Sequence, residues 1–143
     1  MLTFAFYRAP GTWRDRLIRL ATGSQYSHVE FVLRRFKMDG VDRMFCVSAS
    51  KRDGHRVRKT TIRIQPDHWD FVTVEGDYAE AVMIAGGMCG LPYNTIGAVL
   101  SITHWRWRIG CGLHCSQLTG MVAEIPDAHR LNPQEFYEAI KAR

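Results

Sequence analysis

Cys115 stands in the run Gly110-Cys111-Gly112-Leu113-His114-Cys115-Ser116-Gln117-Leu118, where two glycines suit a tight approach to a helix. Leu118, Met121 and Val122 then follow at helical spacing with one buried side, which makes Cys115 a first-turn residue. A thiol there lies among unpaired backbone N–H groups at the positive end of the helix dipole. Those groups favour thiolate over thiol and can hold an oxyanion. A cysteine nucleophile needs a base, and His28, in Ser24-Gln25-Tyr26-Ser27-His28-Val29-Glu30-Phe31-Val32-Leu33, is the best placed of the six histidines.

The elements that must carry these residues follow from the patterning. Residues 2 to 7 form a first strand, ended by Pro10-Gly11. Thr12 opens a helix with Asp15 in the acidic place of a capping box, and Gly23 ends it. Trp13, Leu17, Leu20 and Ala21 are expected as its buried stripe. Tyr26 to Arg34 has period two, with Val29, Phe31 and Leu33 on one face and His28, Glu30 and Val32 on the other. Asp39-Gly40 marks a hairpin turn. The returning strand, Met44 to Ser50, puts Phe45, Val47 and Ala49 on one face and Cys46, Ser48 and Ser50 on the other, and pairing brings that small polar face near His28.

Val57 to Ile64, with its basic residues outward, and Trp69 to Glu75 read as two more strands. Asp77 caps a helix over Tyr78 to Met88, and Asn94 caps an apolar, buried helix from Thr95 to about Thr103. His104-Trp105-Arg106-Trp107-Arg108 is an exposed linker into the Cys115 helix. Pro126 to Leu131 is loop. Asn132, Pro133 and Glu135 open a last helix with Phe136, Tyr137 and Ile140 inward. The expected fold is α+β, an antiparallel sheet of four to six strands packed with helices, in one domain over 1–143.

Composition narrows the function classes. No apolar run nears the roughly 18 residues of a membrane span, and the first residues lack the basic start of a signal peptide, so the expected location is cytoplasmic. The four cysteines, at 46, 89, 111 and 115, are expected as free thiols. Cys111, His114 and Cys115 could begin a zinc site, but no second compact pair completes it; neither metal nor cofactor is expected. The net charge of +5 admits an anionic surface as partner, and the Trp and Arg of the linker could stack on nucleic acid or glycan, although nucleic acid is the weaker reading.

The order of these elements carries a resemblance. Ser27-His28-Val29-Glu30, Ser48-Ala49-Ser50 with Arg52-Asp53-Gly54 and Val57-Arg58, Leu91-Pro92-Tyr93-Asn94, and Cys115-Ser116-Gln117-Leu118 span most of the chain. With the histidine strand ahead of the cysteine helix, the sequence resembles the circularly permuted papain-like families of the NlpC superfamily. These include the YiiX-like and lecithin retinol acyltransferase-like proteins, and the chain looks especially like small phage and bacterial members. The resemblance implies Cys115 as nucleophile and His28 as the base that takes its proton and returns it to the leaving group.

Related proteins often carry an acid on the strand after the histidine, where this chain has Ser48. A hydroxyl orients an imidazole but does not stabilise its cation as a carboxylate does. Glu30 is the charged substitute, although its Cα lies roughly 7 Å along the strand and its side chain must lean back. Asn94 and Gln117 replace an Asp and a Glu common in the family. The implied activity is that of a cysteine peptidase or amidase acting on a peptide or cell-wall peptide bond through an acyl-enzyme. The alternatives are a binding module without turnover and a lipid acyltransferase or thioesterase working at a membrane surface.

Overall fold

A computed structural model of the chain describes residues 1–51, 53–101 and 112–143. Five strands form one antiparallel sheet: β1 (Leu2–Tyr7), β2 (His28–Met38), β3 (Val41–Ser50), β4 (Arg56–Arg63) and β5 (Trp69–Val74), in the order β4-β3-β2-β1-β5. The helices are α1 (Trp13–Thr22), α2 (Tyr78–Gly87), α3 (Thr95–Leu100), α4 (Cys115–Val122) and α5 (Pro133–Lys141). The fold class is therefore α+β. Among the described residues no helix is long and apolar enough to cross a membrane.

Local chemistry fixes the ends of these elements. Asp39 and Gly40 both take positive φ, 52° and 75°, the geometry of a two-residue hairpin between β2 and β3. Asp77 accepts from the N–H groups of Ala79 and Glu80, and Asn94 accepts from Gly97. Asn132 and Glu135 close a reciprocal capping box on α5.

Period two then sorts the sheet into two faces. Phe4, Phe6, Val29, Phe31, Val47 and Ala49 face the main core. Leu118 and Val122 of α4, Ala81 and Ala85 of α2 and Phe136 and Ile140 of α5 close over them. Phe136 meets Phe4 edge to face at 5.1 Å and Phe6 at 5.7 Å, and burying such a ring stabilises by about 1.5–3 kcal/mol. Ala5, Val32, Met44 and Cys46 build a smaller cluster on the opposite face with Trp69.

Two helices are turned differently from what their stripes suggest. Trp13, Leu17, Leu20 and Ala21 are exposed, Leu20 at 82%. The polar side of α1 is the one tied down: the Asp15 carboxylate accepts from the Thr12 N–H and hydroxyl and is buried. The Arg19 guanidinium donates to the carbonyls of Arg8, Ala9 and Pro10. On α3, Ile96 and Val99 are more than half exposed and only Gly97 is buried. Met121 of α4 likewise faces outward. The expected continuation of α3 to Thr103, the Trp105–Trp107 linker, Cys111 and Arg52 lie outside the described residues.

Candidate active site

β2 begins at His28, opposite Tyr7 of β1, so the histidine sits at an end of the sheet. α4 begins at Cys115, and its tip is brought to the same end by an added rung. The Val57 N–H donates to Leu91 O and the Tyr93 N–H to His55 O, which lays residues 91–93 beside the start of β4. Leu113 then pairs with this segment: its N–H donates to Pro92 O, and its carbonyl accepts from Asn94. Gly112 makes the approach possible. Its φ is +97°, and a Cβ there would lie 1.9 Å from the Pro92 carbonyl oxygen.

The helix start is capped by His114, which is buried and accepts the Gln117 N–H on Nδ1. Its Nε2 faces the carbonyl oxygen of His129 at 3.3 Å and is the donor there. Burial pushes His114 down to about 4, which keeps it neutral and able to accept. Ser116 ties the same turn to Leu131 O.

At this junction the Cys115 side chain and the His28 ring come close enough that each shifts the other's protonation. His28 Nε2 is 2.8 Å from Glu30 Oε1, which leaves Nδ1 as the nitrogen that serves the sulfur. Glu30 does lean back along β2 to reach the ring, and it is completely buried. Arg58 meets the same carboxylate with two bonds of 2.7 Å, Nη1 to Oε2 and Nη2 to Oε1. Arg58 Nε donates in turn to Asp53 at 2.8 Å.

Ser48 is close by but does not orient the imidazole. Its hydroxyl donates to the Val29 carbonyl at 2.7 Å, so the charged alternative, Glu30, is the one on the ring. Arg58 corrects a second expectation, since it points inward rather than outward with the other basic residues of β4. Sequence patterning missed it because the strand's polar face reads as solvated. The available signal was a bidentate-capable side chain on the strand beyond Ser48.

The electrostatics follow from this geometry. Burial alone would lower His28, but the charge and hydrogen bond of Cys115, with those of Glu30, outweigh it and push His28 up to about 9. Burial would raise Cys115; the charge and hydrogen bond of His28, then the N–H groups of Val29 and Ser116, bring it below the ordinary thiol value. Burial would raise Glu30 as well, yet His28 and Arg58 hold it down at about 2. The result is a row of three groups, Cys115, His28 and Glu30, in which each neighbour favours the charged form of the next. Tyr93 lies near enough for burial and the Cys115 charge to push its phenol up. Among the described residues no three His, Cys, Asp or Glu side chains converge as a metal site would require.

Comparison with known proteins gave no matching family model, no matching curated protein and no matching solved structure.

Proposed function

We propose that this chain is a cysteine hydrolase that cleaves an amide bond through a thiol acyl-enzyme, on a circularly permuted papain-like (NlpC-like) fold. The observation that carries the reading is the row Cys115, His28, Glu30, in which the imidazole bonds a buried carboxylate through Nε2 and interacts with the thiol. The Cys115 thiolate attacks the substrate carbonyl carbon, and the electron pair moves to the carbonyl oxygen beside the N–H groups of the helix tip. As the oxyanion collapses, the C–N bond breaks and His28 gives its Nδ1 proton to the leaving nitrogen. Water then adds to the thioester with His28 as base, and the thiolate leaves as the acid is released. Glu30 stabilises the imidazolium in both halves.

A binding module without turnover is favoured by one observation, the 7% exposure of Cys115. Iodoacetamide alkylation of Cys115, followed against pH by peptide mass spectrometry, tests the chemistry. An activated cysteine reacts at pH 6 at least tenfold faster than a free thiol. A profile like that of free cysteine would defeat the hydrolase reading.

A further inference from the structure

Arg58 reaches Glu30 across an intervening strand. It stands on β4 opposite Ser48 of β3, while Val47, the residue before Ser48, stands opposite Phe31 of β2. Ser48 and Cys46 are both fully buried and both short, and they leave a path over β3 that a long side chain would block. Both prongs of the guanidinium end on Glu30, and its Nε is held by Asp53. We propose that Arg58 is a positioning residue for the Cys115–His28 pair: it grips both Glu30 oxygens so that Oε1 stays on His28 Nε2, and Asp53 sets the angle of the grip.

The alternative to this arrangement is physically poor. A Glu side chain has three rotatable bonds, and without Arg58 its carboxylate would keep only His28 and the weak Cys46 thiol as donors in the interior. A buried carboxylate so poorly partnered takes up a proton or swings toward water. Either outcome removes the charge from behind the imidazole. The groups facing Glu30 are His28 on its own strand, Cys46 on β3, Arg58 on β4 and Asp53 in the turn before β4, with Cys115 beyond His28. Burial and the Glu30 charge drive the Cys46 thiol upward, so Cys46 stays protonated and can serve Glu30 only as a weak S–H donor.

A clamp and a bare charge differ in what they depend on. As a nearby cation alone, Arg58 would act on Cys115 directly, so its removal would weaken the thiolate whether or not Glu30 is charged, and Arg58→Lys would replace it. As the clamp on Glu30, its removal makes Cys115 less acidic only through Glu30, and Arg58→Lys does not restore it fully. The proposal rests on the cysteine-hydrolase reading, but thiol reactivity tests it without any substrate.

The experiment is the pH profile of Cys115 alkylation by iodoacetamide in the full chain and in Arg58→Met, Arg58→Lys, Glu30→Gln and the Glu30→Gln/Arg58→Met double variant. The expected result is at least a tenfold fall in rate at pH 6 for Arg58→Met and for Glu30→Gln, with the thiol midpoint moved up. Arg58→Lys falls part of the way, because an ammonium lacks the planar fork that fits both oxygens and Asp53 at once. The double variant is no slower than Glu30→Gln alone, since Arg58 acts through Glu30.

An activated wild-type profile that Arg58→Met or Arg58→Lys leaves unchanged or shifts down overturns the proposal, as do additive losses in the double variant. If Arg58→Met does not fold, Arg58→Lys and the double variant, which removes both buried charges, carry the test. A wild-type profile like that of free cysteine refutes the hydrolase reading instead.

Discussion

The Glu30 carboxylate and the His28 imidazole, two residues apart on one strand, meet at 2.8 Å through Oε1 and Nε2. Neighbours on the same face of a strand ordinarily point the same way, roughly 7 Å apart at Cα, so this contact requires the longer side chain to fold back. The consequence is that β2 alone supplies the imidazole and the charge that orients it. Only the thiol has to be brought in from elsewhere.

The first prediction concerns the imidazolium. Because Cys115 and Glu30 push His28 up to about 9, the proton for the leaving group is present up to that pH, and the basic limb of hydrolysis falls near pH 9. Glu30→Gln removes a charge and a hydrogen bond that favour the protonated ring, so the limb moves down by about one unit or more. The maximal rate should drop by about 10²–10⁴-fold. A pH–rate profile of both proteins on a hydrolysed ester or peptide checks this; an unmoved limb would remove Glu30 from the mechanism.

The pairing of His28 with a carboxylate was readable in outline from residue types alone, because a histidine opening a strand and a glutamate on its face are both local features. Caps at Asp77, Asn94 and Asn132 and the Asp39-Gly40 turn were legible for the same reason: each is decided within four residues. Arg58 was not, because its contact with Glu30 depends on the register of three strands. The direction in which α1 faces was not legible either. A stripe says which side chains share a face, whereas the choice of inward face was made by Arg19 and Asp15 binding backbone groups.

A second prediction follows from that reversed helix. Leu20→Glu and Leu17→Glu exchange exposed groups for charged ones and should leave stability within about 0.5 kcal/mol of the parent. Phe136→Ala, by contrast, empties a site enclosed by Phe4 and Phe6 and should cost about 3–5 kcal/mol. Urea unfolding of the three variants measures the contrast. Equal losses at Leu20 and Phe136 would mean that α1 packs with its apolar side inward.

A third prediction concerns acid. Glu30 is held at about 2 against 4.5 when unfolded, so the stability it contributes is complete above pH 4.5 and is lost as pH falls through about 2. That shift corresponds to about 3 kcal/mol. His114 acts earlier: at about 4 folded against 6.5 unfolded, it stays neutral in the folded chain while the unfolded chain gains a proton, so stability declines from pH 6.5 down to 4. His114→Asn keeps a capping oxygen and removes the titration. Urea unfolding at pH 7, 5 and 3 should show a shallower loss between pH 7 and 5 in this variant than in the parent.

The last prediction isolates the delivery of the thiol. Gly112 combines φ +97° with a Cβ position 1.9 Å from Pro92 O, so alanine there is excluded twice, by backbone strain and by the carbonyl it would strike. Relief requires Leu113 to move away from Pro92, which opens the rung that carries Cys115 toward His28. Leu113 and Cys115 border the main core, but the five strands keep their own pairing, so Gly112→Ala should retain its circular dichroism while losing Cys115 activation. At pH 6 its alkylation rate should fall about tenfold or more toward that of a free thiol. Wild-type reactivity in a folded Gly112→Ala chain would show that the helix tip does not depend on this rung, and that Cys115 is placed by α4 packing alone.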